Sequence, residues 1–280
     1  MKSLRISIVQ YLNTAPLVRG LTHGPLRGKY ELSFTVPSEC AEALRTRQVD
    51  IAIIPAIEYQ RIDGLVILPD LSIASKTSVR SLLLISKKPI QEVQKIALDR
   101  SSRSTQAMTK ILCAKRWHIE PEYFEMAPDL PEMLDKADAA LLIGDPALQF
   151  AVTGRRSAGK HGLSNLKVYD VVEKWRGLTN LPAVLAVWAG WPERIGKEVV
   201  QDFQDSLAFG MRHLDQISEE SAAQLNLPAT ELKLYLTENI DYRLHAENLR
   251  GLRRYYDLAA EIGIIPRARE IVMAEEAVKV

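Results

Sequence analysis

A device used three times along the chain most constrains its fold: an apolar run that stops at a short polar turn and restarts as a helix. The first copy spans Ile6 to Gly20, where Ile6, Ile8 and Val9 read as a strand, Gln10-Tyr11-Leu12-Asn13 ends it, and Thr14 to Arg19 starts a helix. Pro16 suits that start, since a first helical turn has no use for an amide donor. The other copies stand at Ser101-Ser102 and Asp145-Pro146. Strands that run into helices build a parallel sheet with covered faces, an α/β class, and in such sheets ligands sit beyond the carboxyl ends of the strands. A helix amino terminus there carries free N–H groups and a partial positive charge, so it can seat an anion. Taken alone, Asn13 reads as the cap of its own helix; the recurrence of the turn gives it a second reading, as a ligand contact.

The remaining elements follow the same alternation. Tyr30 to Val36 reads as a strand, Pro37 to Arg45 as a helix with Ser38 and Glu39 at its start, Val49 to Ile54 as a buried parallel strand, Ala56 to Arg61 as a short helix and Leu65 to Leu68 as a strand. Val79 to Ser86 reads as a strand that leaves this first lobe. A second α/β set follows: strands at Lys95 to Leu98, Glu122 to Met126 and Ala139 to Ile143, with helices at Ser102 to Trp117 and Leu130 to Lys136. Ala183 to Trp188 can carry the chain back, and from Pro192 onward the pattern is helical. Two crossover strands and a helical C-terminal tail describe a two-lobed clamp of the periplasmic-binding-protein type, type II-like. Its first lobe is expected over residues 1–85 plus 184–280, the tail included, and its second over 86–183. Tandem domains with the tail as an independent bundle are the alternative; the small-domain length of the middle insert favours the clamp. The cleft between lobes is then the expected ligand site.

Composition narrows the function classes. With 36 basic and 35 acidic residues the net charge is +1, which offers no broad field for nucleic acid or an acidic membrane. Cys40 and Cys113 lack ligand-like spacing, so neither a zinc site nor a disulfide framework is indicated. MKSLRISIVQY makes no secretory signal, and no stretch reaches the roughly 20 apolar residues of a membrane span. A cytoplasmic protein is expected. No Ser-His-Asp order, glycine-rich phosphate loop or dinucleotide fingerprint is present; Gly154, Gly159 and Gly162 are not usefully spaced, and Lys160 reads as loop. With no cofactor or metal motif, chemistry that needs only positioning and modest acid–base help is preferred.

Three places can carry such chemistry. Asp99-Arg100-Ser101-Ser102-Arg103-Ser104-Thr105 puts four hydroxyls at a helix start, more than one cap requires, and hydroxyls with exposed N–H groups bind a carboxylate without a cation. Gly144-Asp145-Pro146 is an ordinary helix start in which Asp145 caps, unless it faces the cleft and meets a ligand hydroxyl. On the outgoing strand, alternation sets Ser81 on the face opposite Arg80 and Leu82. His23, His118, His161, His213 and His245 all lie outside these turns.

Five segments in order then carry a resemblance: Tyr11-Leu12-Asn13-Thr14-x-Pro16, Ile54-Pro55-x-Ile57-Glu58-Tyr59, Leu98-Asp99-x-Ser101-Ser102-Arg103, Ile143-Gly144-Asp145-x-Ala147-Leu148 and Trp175-x-x-x-Thr179-x-Leu181-Pro182. Each is short; together they resemble the chorismate dehydratase family of the futalosine route to menaquinone, over nearly the whole chain and including Tyr235-Leu236 and Gly251-Leu252. The sister dihydroxynaphthoate synthase differs in the turn after the first strand and usually offers a histidine base. One departure is Ala56, where the family carries Ser. The resemblance implies the two-lobed clamp and a carbon–oxygen lyase that takes water from chorismate to give 3-[(1-carboxyvinyl)oxy]benzoate, with no cofactor. It further implies Asn13 as the leading catalytic residue, Ser81 as the second, and Ser102, Ser104, Thr105 and Asp145 as substrate-binding residues. A small-molecule sensor of an aromatic carboxylate, built on the same fold without catalysis, is the alternative.

Overall fold

The computed structural model describes residues 3–154 and 165–274; Gly159, Lys160, His161 and Gly162 lie outside them. Its strands are β1 (Arg5–Val9), β2 (Glu31–Thr35), β3 (Ile51–Pro55), β4 (Val66–Ser75), β5 (Leu82–Ser86), β6 (Lys95–Asp99), β7 (Glu122–Met126), β8 (Ala139–Ile143), β9 (Lys167–Asp170) and β10 (Ala183–Gly190). They form two five-stranded sheets, ordered β2-β1-β3-β10-β4 and β7-β6-β8-β5-β9. β1 pairs in parallel with β2 and β3, and β6 with β7 and β8. Each sheet also receives one strand in the opposite sense. β10 returns from the second sheet and inserts antiparallel between β3 and β4, and β5 arrives from the first and inserts antiparallel between β8 and β9.

The sequence reading did not include β9 or the helix after it, and among the boundaries that differ from it, two do so for identifiable reasons. β4 runs on through Pro69-Asp70 to Ser75, although that dipeptide looks like a stop. It lies at the edge of its sheet, where proline removes no needed ladder bond, and Asp70 takes a left-handed φ of 60°. The outgoing strand begins at Leu82 and belongs to the second sheet. Arg80 has φ 63°, so the alternation argument that opposed Ser81 to Arg80 does not apply: Ser81 sits in the crossing itself. The Asp170 carboxylate holds that crossing, accepting the Val79 and Arg80 amides at 3.0 and 2.7 Å while it caps the helix α7 (Val171–Thr179).

The helices that position the site are α1 (Ala15–Thr22), α2 (Pro37–Arg45), α3 (Ala56–Arg61), α4 (Arg103–Leu112), α5 (Leu130–Lys136) and α6 (Gly144–Gln149). α2 begins after Val36 without a side-chain cap, so Ser38 is not its cap. The tail comprises α8 (Lys197–Arg212), α9 (Leu214–Leu225), α10 (Ala229–Leu234) with a π turn at Tyr235–Asn239, and α11 (Ala246–Glu261). It is no independent bundle. One continuous apolar core takes in Ile6 and Ile53 of the first sheet, Leu84 and Leu98 of the second, Trp175 of α7 and Leu252, Tyr255 and Tyr256 of α11. Trp175 is fully buried, donates its indole N–H to the Pro182 carbonyl at 3.1 Å and meets Tyr255 edge-on.

At the second crossing, α11 comes so close that a Cβ on Gly251 would stand 2.2 Å from the Pro182 carbonyl oxygen. Gly251→Ala therefore costs about 1–3 kcal/mol of overpacking against a helix-propensity gain of about 1 kcal/mol. The expected outcome is a lower urea midpoint for Gly251→Ala and an unchanged one for Arg250→Ala, whose side chain is exposed.

Candidate active site

The polar residues of the three turns meet between the lobes. Beyond β1 the chain makes a 3-10 turn at Leu12–Thr14, and Thr14, not Asn13, precedes α1. Asn13 is thus released from capping. It is buried, its Oδ1 accepts from the Thr14 hydroxyl at 3.3 Å, and its side chain stands beside the Tyr235 hydroxyl. Tyr235 comes from the tail and is buried, and it donates to Ser81 Oγ at 2.8 Å. Burial holds its phenol far above the usual tyrosine range, so it stays protonated. A phenol has one proton; with that proton on Ser81, the Tyr235 oxygen can only accept from the Asn13 amide beside it. Ser81, as acceptor, keeps its own hydroxyl proton, and the Asn13 amide brings its N–H donors to the same place. Asn13 and Ser81, beside Tyr235, therefore form a pair of donors.

The start of α4 is the second polar centre. Ser102 is the residue before the helix, in extended conformation, yet its side chain does not cap it; Ser102 Oγ and Thr105 Oγ1 pair with each other at 3.1 Å. The first-turn amides are left without a side-chain cap, which is what an anion seat requires. Ser104 is engaged elsewhere. Its hydroxyl accepts the Ile57 amide at 3.0 Å and its carbonyl accepts the Tyr255 hydroxyl at 2.9 Å, so it clasps α4 to α3 and the tail. Arg103 reaches in the same direction, joining Arg45 and Arg61 around the fully buried Glu58. Ala56 has no hydroxyl to offer, and its carbonyl accepts from Tyr256 at 2.8 Å.

Asp145 does not cap α6 as expected; the residue before that helix is Ile143, and Asp145 lies in its first turn. Its Oδ1 instead accepts the Leu12 amide at 3.1 Å, tying the second lobe to the turn that carries Asn13. Gly144 makes this possible: its φ is 66°, its amide donates to the Ser81 carbonyl at 2.8 Å, and a Cβ there would lie 2.9 Å from the Tyr11 ring. Tyr11, whose hydroxyl reaches Ser101 Oγ at 3.2 Å, closes the same gap. Outside Tyr11 and Asp145 opens a groove of about 410 Å³, also lined by Leu12, Arg19, His23 and Phe34. Asn13, Ser81 and Ser102 are not among its lining residues; they lie in the polar packing between the lobes. Tyr11 and Tyr235 join the site although no role was assigned to them from the sequence, where the only signal was their presence in the quoted motifs; Ser101, one of the four hydroxyls read as a carboxylate seat, instead pairs with Tyr11 and Asp99.

Burial pushes the Asp145 carboxyl up to about 6, and the Leu12 amide only partly offsets it. The folded protein thus holds this proton more tightly than the unfolded chain. The stability contributed by that proton is present at low pH, is lost as pH climbs from about 4 to about 6, and changes no further above that. Burial likewise raises Asp99 and Asp170, so a difference curve isolates the one group. Asp145→Asn keeps an acceptor for Leu12 and is expected to gain on the wild type across that window, by on the order of 1–3 kcal/mol, in denaturant unfolding from pH 4 to 7. Parallel curves would rule the assignment out.

Comparison with known proteins agrees with this architecture. A family model described as menaquinone biosynthesis matches residues 4–261. A chorismate dehydratase from Thermus thermophilus is 29% identical over 263 residues, covering 91% of this chain and 94% of that protein. Among solved structures, protein AF1704 from Archaeoglobus fulgidus superposes with a TM-score of 0.74 at 20% identity, over 94% of this chain and 98% of that one. The periplasmic aliphatic sulphonate binding protein SsuA from Escherichia coli does so with a TM-score of 0.63 at 16% identity, over 99% and 92%. The structural likenesses show the solute-binding clamp, and no helix among the described residues is long and apolar enough to cross a membrane. By the extent of the family match, the chain belongs to the menaquinone biosynthesis family.

Proposed function

We propose that the protein is a chorismate dehydratase, a hydro-lyase that converts chorismate to 3-[(1-carboxyvinyl)oxy]benzoate and water. The observation that carries the reading is the convergence of Asn13 and Ser81 on the Tyr235 hydroxyl, in a chain similar over most of its length to a dehydratase of that name. In the reaction the C–O bond to the ring hydroxyl breaks with its electron pair, and the neighbouring ring carbon loses its proton. The pair from that C–H bond completes an aromatic ring. Aromatisation supplies the driving force, so the protein has to hold a dianion in a reactive pose and stabilise a departing hydroxide.

The roles follow from which protons are free. The Ser81 hydroxyl, held by Tyr235, retains its proton, and the Asn13 amide brings N–H donors beside it, so they donate to the leaving oxygen or to a carboxylate beside it. The uncapped start of α4, with Ser102 and Thr105, seats a carboxylate, and Ser104 fixes that helix against α3. Asp145 holds the Leu12–Thr14 turn in place. No histidine belongs to this cluster among the described residues, so the ring proton goes to a weak base, either a water or the substrate's own side-chain carboxylate.

Purified protein mixed with chorismate is expected to replace the diene absorption by that of a benzenoid acid. Binding at one equivalent with an unchanged spectrum would instead identify a sensor. Asn13→Ala should lower turnover by about 10²–10³-fold, the usual loss for one preorganised donor, with little change in melting temperature. Wild-type turnover in that variant would remove Asn13 from the mechanism.

A further inference from the structure

Asp99 closes β6, is fully buried, and has no part in the chemistry above. Its two oxygens are used unequally. Oδ1 accepts both the amide and the hydroxyl of Ser101, at 2.9 and 2.6 Å. Oδ2 is buried and makes no hydrogen bond of ordinary geometry, with the Ile143 amide nearby favouring the ionised carboxylate. Two donors on Oδ1 leave that oxygen no proton to return. Ser101 has one hydroxyl proton; committed to Asp99, its oxygen can only accept from elsewhere, and it does so from the Tyr11 hydroxyl at 3.2 Å. The phenol, its one proton spent on Ser101, has only lone pairs left for any other partner. The direction of the whole chain is therefore set at its buried end.

Tyr11 stands where a ligand would meet it. It follows β1, packs on Gly144 and lines the groove beside Leu12 and Asp145. Burial holds it up to about 12, so it remains a neutral phenol. The charged and polar groups around this chain are Arg100, Ser101 and the Ile143 amide at Asp99, with Asp99 and Asp145 both facing Tyr11.

We propose that Asp99 is a positioning residue which, through Ser101, presents the Tyr11 phenol oxygen to the cleft as a hydrogen-bond acceptor, and that this acceptor selects a ligand carrying a hydroxyl. The identity of that hydroxyl rests on the dehydratase reading: it is the ring hydroxyl of chorismate, present in the substrate and gone from the product. A site built to accept from a hydroxyl discriminates against the analogue that lacks it. The same bond that orients the substrate is then unavailable to the benzoate, which leaves more readily.

Ligand-free protein labelled with ¹³C at tyrosine Cζ tests the orientation, because that chemical shift reports whether a phenol donates; the Tyr11 signal is the one lost in Tyr11→Phe. Ser101→Ala and Asp99→Leu both free the phenol proton and are expected to move the signal. Asp99→Asn keeps an oxygen in the Oδ1 position and is expected to leave it near its wild-type value. A signal that stays put in Ser101→Ala overturns the proposal, and this variant decides the matter should Asp99→Leu fail to fold. With chorismate, Ser101→Ala should raise KM by about 3- to 10-fold, the factor for one hydrogen bond, with kcat little changed. It should add nothing further to Tyr11→Phe. Equal KM increases in both backgrounds would mean that Ser101 acts apart from Tyr11 and would also overturn it. The labelling readout needs no chorismate: shifted signals in a protein that leaves chorismate unchanged refute the dehydratase reading and leave the phenol's orientation standing.

Discussion

Polar groups shut between two lobes have to find their partners there, because leaving one unpaired costs about 1–3 kcal/mol. That requirement organises this protein. The Leu12 amide is answered by Asp145, the Ile57 amide by Ser104, the Ser104 carbonyl by Tyr255, and the Tyr235 hydroxyl by Ser81. Each of these bonds joins distant parts of the chain, and together they hold the turn bearing Asn13 against the starts of α4 and α6. The donors that remain around the Asn13 turn are specific: the Ser81 proton, the Asn13 amide and the uncapped amides of α4. A dianion with a leaving hydroxyl is the kind of ligand such a remainder suits.

The same economy explains why the tail packs across both lobes. Tyr235, Tyr255 and Tyr256 are all buried tail residues whose hydroxyls end on Ser81, the Ser104 carbonyl and the Ala56 carbonyl. Large aromatic bodies bury apolar area while one polar tip reaches the site. The close approach of Gly251 to Pro182 and the indole bond of Trp175 to the same carbonyl fix the tail over the second crossing. Asp170 fixes the first. Both places where the chain changes sheet are therefore braced from outside the crossing itself.

Most element positions were legible in the chain because they rest on short-range patterns. The fully buried β3 reads directly from VDIAII, and α2, α3 and α5 from their proline or acidic starts. The errors fall where a local signal was outvoted. The strand read as Leu65 to Leu68 runs on through Pro69-Asp70, which a sheet edge tolerates. Asn13 and Asp145 looked like caps; Asp145 instead serves an amide of the other lobe, and Asn13 lies in a 3-10 turn ahead of the helix. Ser81 looked like a strand residue and lies in a crossing shaped by the left-handed Arg80. In each case a helix or strand rule was sound, and a hydrogen bond from a distant segment was worth more.

The sequence by itself determined the α/β class, the two excursions between sheets and the concentration of hydroxyls and amides at three helix starts, since periodicity and turn chemistry act within a few residues. Only the tertiary structure decided which of those groups are used up and which are free. Tyr235 reaches Ser81 across 154 positions and Asp145 reaches Leu12 across 133. No local pattern encodes such pairings: they arise when two lobes close on each other and exclude the water that would otherwise have satisfied every donor.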